Sequence, residues 1–486
     1  MTLFDGSVEW GTLALLFVCL AIALSFEFVN GFHDTANAVA TVIYTKSLKP
    51  WMAVIWSGSM NFLGVLLGGA AVAFSIVHLL PVDLLINIGK KAGLLMVLSL
   101  LITAIAWNFG TWYFGLPASS SHALIGSILG VGLASSLFSG HGFGSGVNWT
   151  KAHQVGLSLL VSPLVGFLLA GGLLLLTKEL LKNRSLYDEP KGDQPPPMWI
   201  RAILFLTCTG VSFAHGSNDG QKGVGLIMLI LIGILPTHYA INTNFDPAEA
   251  GKALAGVQQV QTVLARSGGD EARGMTEDLA QIRAVLSDAA GLKGLSPQSR
   301  IDLRNRVLRV DDRLGEYEKA RATLLSPADI DALDQLRSQM RGVVDFVAPW
   351  VIVAVAIALG IGTTVGWKRV VITVGEKIGK AHLSYAQGAS AELVAMTTIA
   401  AGDIFGLPIS TTHVLSSGVA GTMAANLSGL QIRTIRNIAL AWVLTLPITM
   451  LFAGALFAGT ARGALKEIGA HPTAPPRPER VLPKLE

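Results

Sequence analysis

The stretch Asn30-Gly31-Phe32-His33-Asp34-Thr35-Ala36-Asn37-Ala38-Val39-Ala40 places a carboxylate, two carboxamides and an imidazole inside an otherwise apolar segment, and a second copy follows as Ala214-His215-Gly216-Ser217-Asn218-Asp219-Gly220-Gln221-Lys222-Gly223-Val224-Gly225. Aligning Asp34 with Asp219 also aligns His33 with Asn218, Asn37 with Lys222 and Val39 with Val224. A second element is duplicated without a gap at an offset of 291 residues: Phe114-Gly115-Leu116-Pro117-Ala118-Ser119-Ser120-Ser121-His122 against Phe405-Gly406-Leu407-Pro408-Ile409-Ser410-Thr411-Thr412-His413. Each half is therefore one unit, an Asp cassette followed by a hydroxyl-rich Gly-Leu-Pro cassette, and the fold must be built twice from the same plan.

The setting of these cassettes is a bilayer. A chain of 486 residues with 51% hydrophobic and only 14% charged residues reads as a polytopic, all-α membrane protein. Ionisable groups at that depth are expensive and mark a pathway or a binding site. Cys19 and Cys208 both lie in apolar runs, so neither a disulfide framework nor a metal cluster is expected. The net charge of +4 is modest, and basic residues beside apolar runs serve topology, not nucleic-acid binding.

Spans of roughly 20 residues are expected at Trp10 to Phe28, Trp51 to Val77, Leu94 to Tyr113, Leu116 to Leu137 and Val155 to Thr177 in the first half. The second half offers Trp199 to Leu235, Val347 to Trp367, Tyr385 to Ala401, Leu407 to Ala425 and Ile438 to Phe457. The expected plan is a first transmembrane repeat over 1–177, a connector over 178–198, the start of a second repeat over 199–235, a soluble helical insert over 236–345, the rest of the second repeat over 346–460 and a flexible, Pro-rich tail over 461–486. About five spans per half is an odd number, so the second copy enters the membrane from the opposite side, the inverted-topology repeat of secondary transporters. Lys178, Lys182, Arg184, Lys191 and Arg201 put the connector in the cytoplasm. The insert shows helix starts at Ser296-Pro297 and Ser326-Pro327, with Leu303, Val307, Leu308, Val310 and Leu314 at helical spacing on a charged background.

Glycines at 31, 216, 220, 223 and 225 allow a helix to break or two backbones to approach, giving the discontinuous helices that bind ions in a cavity. Helices beginning at Ser119 and Ser410, after Pro117 and Pro408, would turn free N–H groups and the hydroxyls of Ser119, Ser120, Ser121, Ser410, Thr411 and Thr412 toward an oxyanion. Asp34, Asn37, Asn218 and Asp219 supply oxygens for a hard cation or a protonated oxyanion. Lys222 either bridges Asp219 and an oxyanion or bends to an interface. His33, His122, His413 and Gln221 are expected as supporting groups, and Glu27, Glu392 and Asp34 as carriers of a proton. Ser121, His122 and Asp34 do not make a hydrolase, since neighbouring side chains diverge on a helix and no Gly-x-Ser-x-Gly elbow exists.

Gly31-Phe32-His33-Asp34-Thr35-Ala36-Asn37-Ala38 and Ala214-His215-Gly216-Ser217-Asn218-Asp219, with the paired Gly-Leu-Pro cassettes, resemble the duplicated signature of the inorganic phosphate transporter family, nearest its bacterial low-affinity Pit branch. The resemblance covers essentially the whole chain. It implies a multi-pass inner-membrane symporter, not an enzyme, that imports inorganic phosphate with protons, in bacteria often as a neutral complex with a divalent metal; no cofactor is expected beyond that cargo metal. Sodium-driven relatives carry Asp-x-x-Asn in both cassettes, whereas the second here reads Asp219-Gly220-Gln221-Lys222, which points away from sodium. A sodium-coupled symporter and a divalent-cation channel built on acidic rings remain the alternatives, and the oligomeric state, a homodimer included, stays open.

Overall fold

The computed structural model describes residues 9–80, 91–138, 142, 144–190, 192, 194–267, 270–287, 292–321 and 323–469, without the side chains of 35–37, 91, 267, 270–271 and 461–469. All the regular elements among them are helical. α1 (Trp10–Tyr44), α2 (Pro50–Leu67), α3 (Ala71–Val77), α4 (Lys91–Tyr113), α5 (Ser120–Phe138) and α6 (Trp149–Leu180) form the first half, and α7 (Met198–Ile234) opens the second. α8 (Pro247–Ser267), α9 (Asp270–Leu286), α10 (Pro297–Ala320) and α11 (Pro327–Val344) follow, and α12 (Pro349–Thr364), α13 (Tyr385–Ile404), α14 (Thr411–Ala425) and α15 (Ile432–Gly469) complete the chain.

Seven described helices are long and apolar enough to cross a membrane, or eight if α11 and α12, bent by 80°, are taken as one span. The shortfall from ten lies in the second half. α12 has 16 residues and α14 only 15, rich in Ser, Thr and Gly, while α13 carries Gln387, Glu392 and Asp403. The run from 51 to 77 breaks after Leu67, at Gly68-Gly69, into α2 and α3. The chain is helical through Gly469, and residues 470–486 lie outside the described residues.

Of the two uses open to the cassette glycines, a helix break or a close approach of backbones, the structure has the second: α1 and α7 run unbroken through the Asp cassettes, at 35 and 37 residues. A Cβ at Gly31 would lie 2.4 Å from the Leu359 carbonyl oxygen of α12, and one at Gly216 would lie 2.2 Å from the Asn61 carbonyl oxygen of α2. Gly362 against Phe28 and Gly64 against Phe213 complete the two crossings. The discontinuities fall in the Gly-Leu-Pro cassettes, where α4–α5 and α13–α14 form helical hairpins. Each tip turns on a glycine in the left-handed region, Gly115 (φ 65°) and Gly406 (φ 61°), a conformation that costs other L-residues. The hairpins are exchanged between halves. α5 packs along α15, with Gly126 and Gly130 against Leu446, Thr449 and Met450, and α14 packs along α6, with Gly421 against Phe167 and Gly166 against Val414.

α8 to α11 fold on one another around Val257, Val260, Leu264, Leu279, Ile282, Leu303, Leu314, Leu336 and Met340. Capping is explicit here. Ser296 accepts from Ser299 N, and Ser326 with Asp329 closes a capping box. Asp329 is held below the usual carboxylate range, chiefly by the Ser326 hydroxyl, with Arg266 adding to it. Where this bundle joins the membrane helices, Asn242 N donates to Val343 O at 2.7 Å, and the buried Arg304 spans the Ala240 and Val344 carbonyls at 3.3 Å each.

Candidate functional site

The two long helices and the two hairpin tips meet at one buried point. Trp442 of α15 donates to Pro117 O at 2.8 Å, and Ser158 of α6 donates to Pro408 O at 3.2 Å, so each tip is seated by the other half. The tip glycines accept as well: Gly115 O from the Thr373 hydroxyl at 2.7 Å, and Gly406 O from the Ser75 hydroxyl at 2.5 Å. Tip meets tip through Ser121, whose hydroxyl donates to Ile409 O at 3.3 Å. The rings of His122 and His413 stack with centroids 4.4 Å apart, and His413 lies on Trp442 at 4.1 Å.

Asp34 sits at this junction, 2% exposed, and both its oxygens accept. Ser120 Oγ donates to Oδ2 at 2.7 Å, and Thr412 Oγ1 donates to Oδ1 at 2.8 Å, so the carboxylate joins the two hydroxyl cassettes. His33 Nδ1 contacts Oδ1 at 2.8 Å, its other nitrogen facing the Thr111 hydroxyl at 3.1 Å. Asp219 is equally buried and pairs with Lys222 Nζ at 2.6 Å; Lys222 also donates to Ser121 Oγ at 2.5 Å. At 1% exposure Lys222 does not reach an interface: its stem turns inward to a carboxylate that balances its charge.

His215 lies between the two carboxylates. Its Nδ1 bonds Asn61 Oδ1 at 2.9 Å, and its Nε2, without a hydrogen-bond partner, is 3.8 Å from Asp34 Oδ2 and 3.6 Å from Asp219 Oδ2. Asp34, His215 and Asp219 thus present ligand atoms all within 4.8 Å of one another, a donor set of two carboxylate oxygens and one imidazole nitrogen that fits a divalent cation. Asn30, four residues before Asp34 as His215 is four before Asp219, donates to Asp219 Oδ2 at 3.4 Å. The residue at this position in each cassette therefore reaches toward the carboxylate of the other.

Several predicted residues are used otherwise than expected. Ser119 and Ser410 cap the hairpin helices, accepting from His122 N at 3.1 Å and His413 N at 3.2 Å. Asn218 does not face the carboxylates: its Nδ2 donates to Asp403 at 2.8 Å and Leu407 O at 3.2 Å, and its Oδ1 accepts from Ile409 N at 3.1 Å, which pins the second tip to α7. Gln221 accepts from Val72 N at 2.8 Å and fixes the start of α3. Thr411 is buried at the first turn of α14, and the Asn37 side chain lies outside the described residues. Glu27 is buried on α1 over Gly223, and Glu392 accepts from Thr41 and Thr207. His215, Asn30 and Asn61 went unassigned in the sequence. The offset that aligns the aspartates also aligns Asn30 with His215, and that was the signal available for two of them.

An all-helical membrane chain with one buried carboxylate joining two exchanged hairpin tips and a second paired to a buried lysine has the build of a membrane transporter. Comparison with known proteins agrees: the model of the phosphate transporter family matches residues 30–453. The chain is 42% identical to the low-affinity inorganic phosphate transporter PitA of Escherichia coli K12, over 94% of this chain and 98% of that protein, and 41% identical to PitB of the same strain over similar shares. Among solved structures it resembles a sodium-dependent phosphate transporter at TM-score 0.51 and 21% identity, over 91% of this chain and 98% of that one. This chain belongs to the phosphate transporter family.

Proposed function

We propose that the protein imports inorganic phosphate across the inner membrane by proton symport, with its two halves as inverted repeats rocking about the junction of the tips. The observation that carries this reading is the position of Lys222. It stands where the first cassette has Asn37, and it places a fixed protein cation against Asp219 at 2.6 Å and against the first hydroxyl cassette at 2.5 Å. An ammonium with three donors can hold a carboxylate and turn another hydrogen toward a phosphate oxygen. A fixed cation here also takes the place of a coupling sodium ion. Phosphate travelling as a neutral divalent-metal complex suits the rest of the junction: the metal meets Asp34, His215 and Asp219, while Lys222 turns to the oxyanion at the starts of α5 and α14.

Purified protein in liposomes tests this. Phosphate should accumulate under an imposed pH gradient, inside alkaline, without sodium, and a divalent metal should enter with it. Lys222→Asn, which restores Asp-x-x-Asn, should lose that uptake or acquire a sodium requirement. Sodium-stimulated uptake by the wild type would overturn the proton reading in favour of sodium symport. Metal flux without phosphate would favour a channel.

A further inference from the structure

The buried carboxyls near the junction are not alike. Asp34 accepts from Ser120 and Thr412, Asp219 from Lys222 and Asn30, and Glu392 from Thr41 and Thr207. Glu27 is as deep, at 0% exposure, yet neither of its oxygens meets a donor. It adjoins Asn30, one turn along α1, whose Oδ1 is also buried without a donor. Buried acceptors without a donor are costly in a low-dielectric interior, and an ionised carboxylate there is the costliest of them. One proton resolves both. A protonated Glu27 would have an O–H to give toward the neighbouring Asn30, whose Nδ2 already donates to Asp219 Oδ2 at 3.4 Å.

We propose that Glu27 carries the coupling proton, linked to Asp219 through Asn30; this rests on the symport reading above. The site is built for the carboxyl group. Gly223 of α7 leaves its place, since a Cβ there would lie 2.4 Å from Glu27 Cδ, and any larger residue would displace the acid. The ionisable groups facing Glu27 are His215, Asp219 and Lys222 of α7, with His33 and Asp34 farther along its own helix. When the O–H bond breaks and the proton passes to water on the receiving side, the new carboxylate needs a donor. Asn30 Nδ2 can supply one, and its turn toward Glu27 releases Asp219 Oδ2. Loss of the proton thereby loosens one grip on the residue that holds Lys222, which couples deprotonation to the substrate junction.

Each coupled proton makes a gradient of one pH unit worth about tenfold in accumulation. In liposomes carrying Glu27→Gln, which keeps a neutral donor toward Asn30, the pH-driven accumulation ratio should fall to about one. Phosphate exchange across equally loaded membranes should fall far less, because substrate contacts are made by other residues. Accumulation by Glu27→Gln equal to wild type overturns the assignment. A wild type indifferent to pH overturns the symport reading itself, so the two failures are distinguishable. Should Glu27→Gln not insert, the wild type decides: a hydrophobic carbodiimide, which attacks protonated buried carboxyls, should form its adduct on Glu27, located by mass spectrometry. An adduct on Asp34 or Asp219 with Glu27 intact, or none on Glu27, defeats the proposal.

Discussion

Asp34 gathers donors from both hairpins, so removing one of them reports on the junction directly. Ser120→Ala takes away the 2.7 Å bond to Oδ2. Hydrogen bonds to charged groups are worth about 1.5–3 kcal/mol, and the half-saturating phosphate concentration should rise about tenfold with surface expression intact, measured by uptake titration. An unchanged titration would mean that this hydroxyl only packs. At this scale much was legible. Asp34, Asp219 and the hydroxyl runs stand out because duplication repeats them, and Lys222 because a cation stands where the aligned copy has Asn37. His215 and Asn30 were less so, because the two copies differ at that position and neither residue type repeats. Asn61 could not be found at all: it comes from outside both cassettes and reaches His215 only because α2 crosses α7 at Gly216.

Helices cross here on glycine, and the crossings fix where the polar residues point. A methyl group at Gly64 would lie 2.2 Å from Phe213 O, on backbone that cannot step aside. Overpacking of this kind costs about 1–3 kcal/mol, so Gly64→Ala should lower the thermal midpoint in detergent. Gly172→Ala, with nothing within 4 Å of the added carbon, should leave it in place. Equal midpoints would remove the close crossing from the account. The hairpins were foreseeable from Pro117 and Pro408, since proline cannot continue a helix interior and the Gly before each supplies the turn. The continuity of α1 and α7 was not, for glycine serves both to break a helix and to admit a neighbour, and only the tertiary packing, with α12 and α2 filling the space, decides between them.

Taken whole, the molecule is two halves that complete each other. α5 lies on α15 and α14 on α6, so the second arm of each hairpin is buried by the other half. Halves expressed separately, cut within the connector near Asp188, should therefore each be degraded alone and recover phosphate uptake when produced together; a stable first half by itself would contradict this. The duplication in the sequence announced two units but not their exchange, because period and composition carry no information about which copy a helix packs against. The exchange also sets a timetable for biogenesis. α5 leaves the ribosome early and its partner α15 last, so the Ser120-bearing arm of the first hairpin lacks its main packing partner until nearly all of the chain has been made. A chain truncated before its final helix should therefore leave that polar arm uncovered in the bilayer and be cleared faster than the full chain, as a pulse-chase measurement would show.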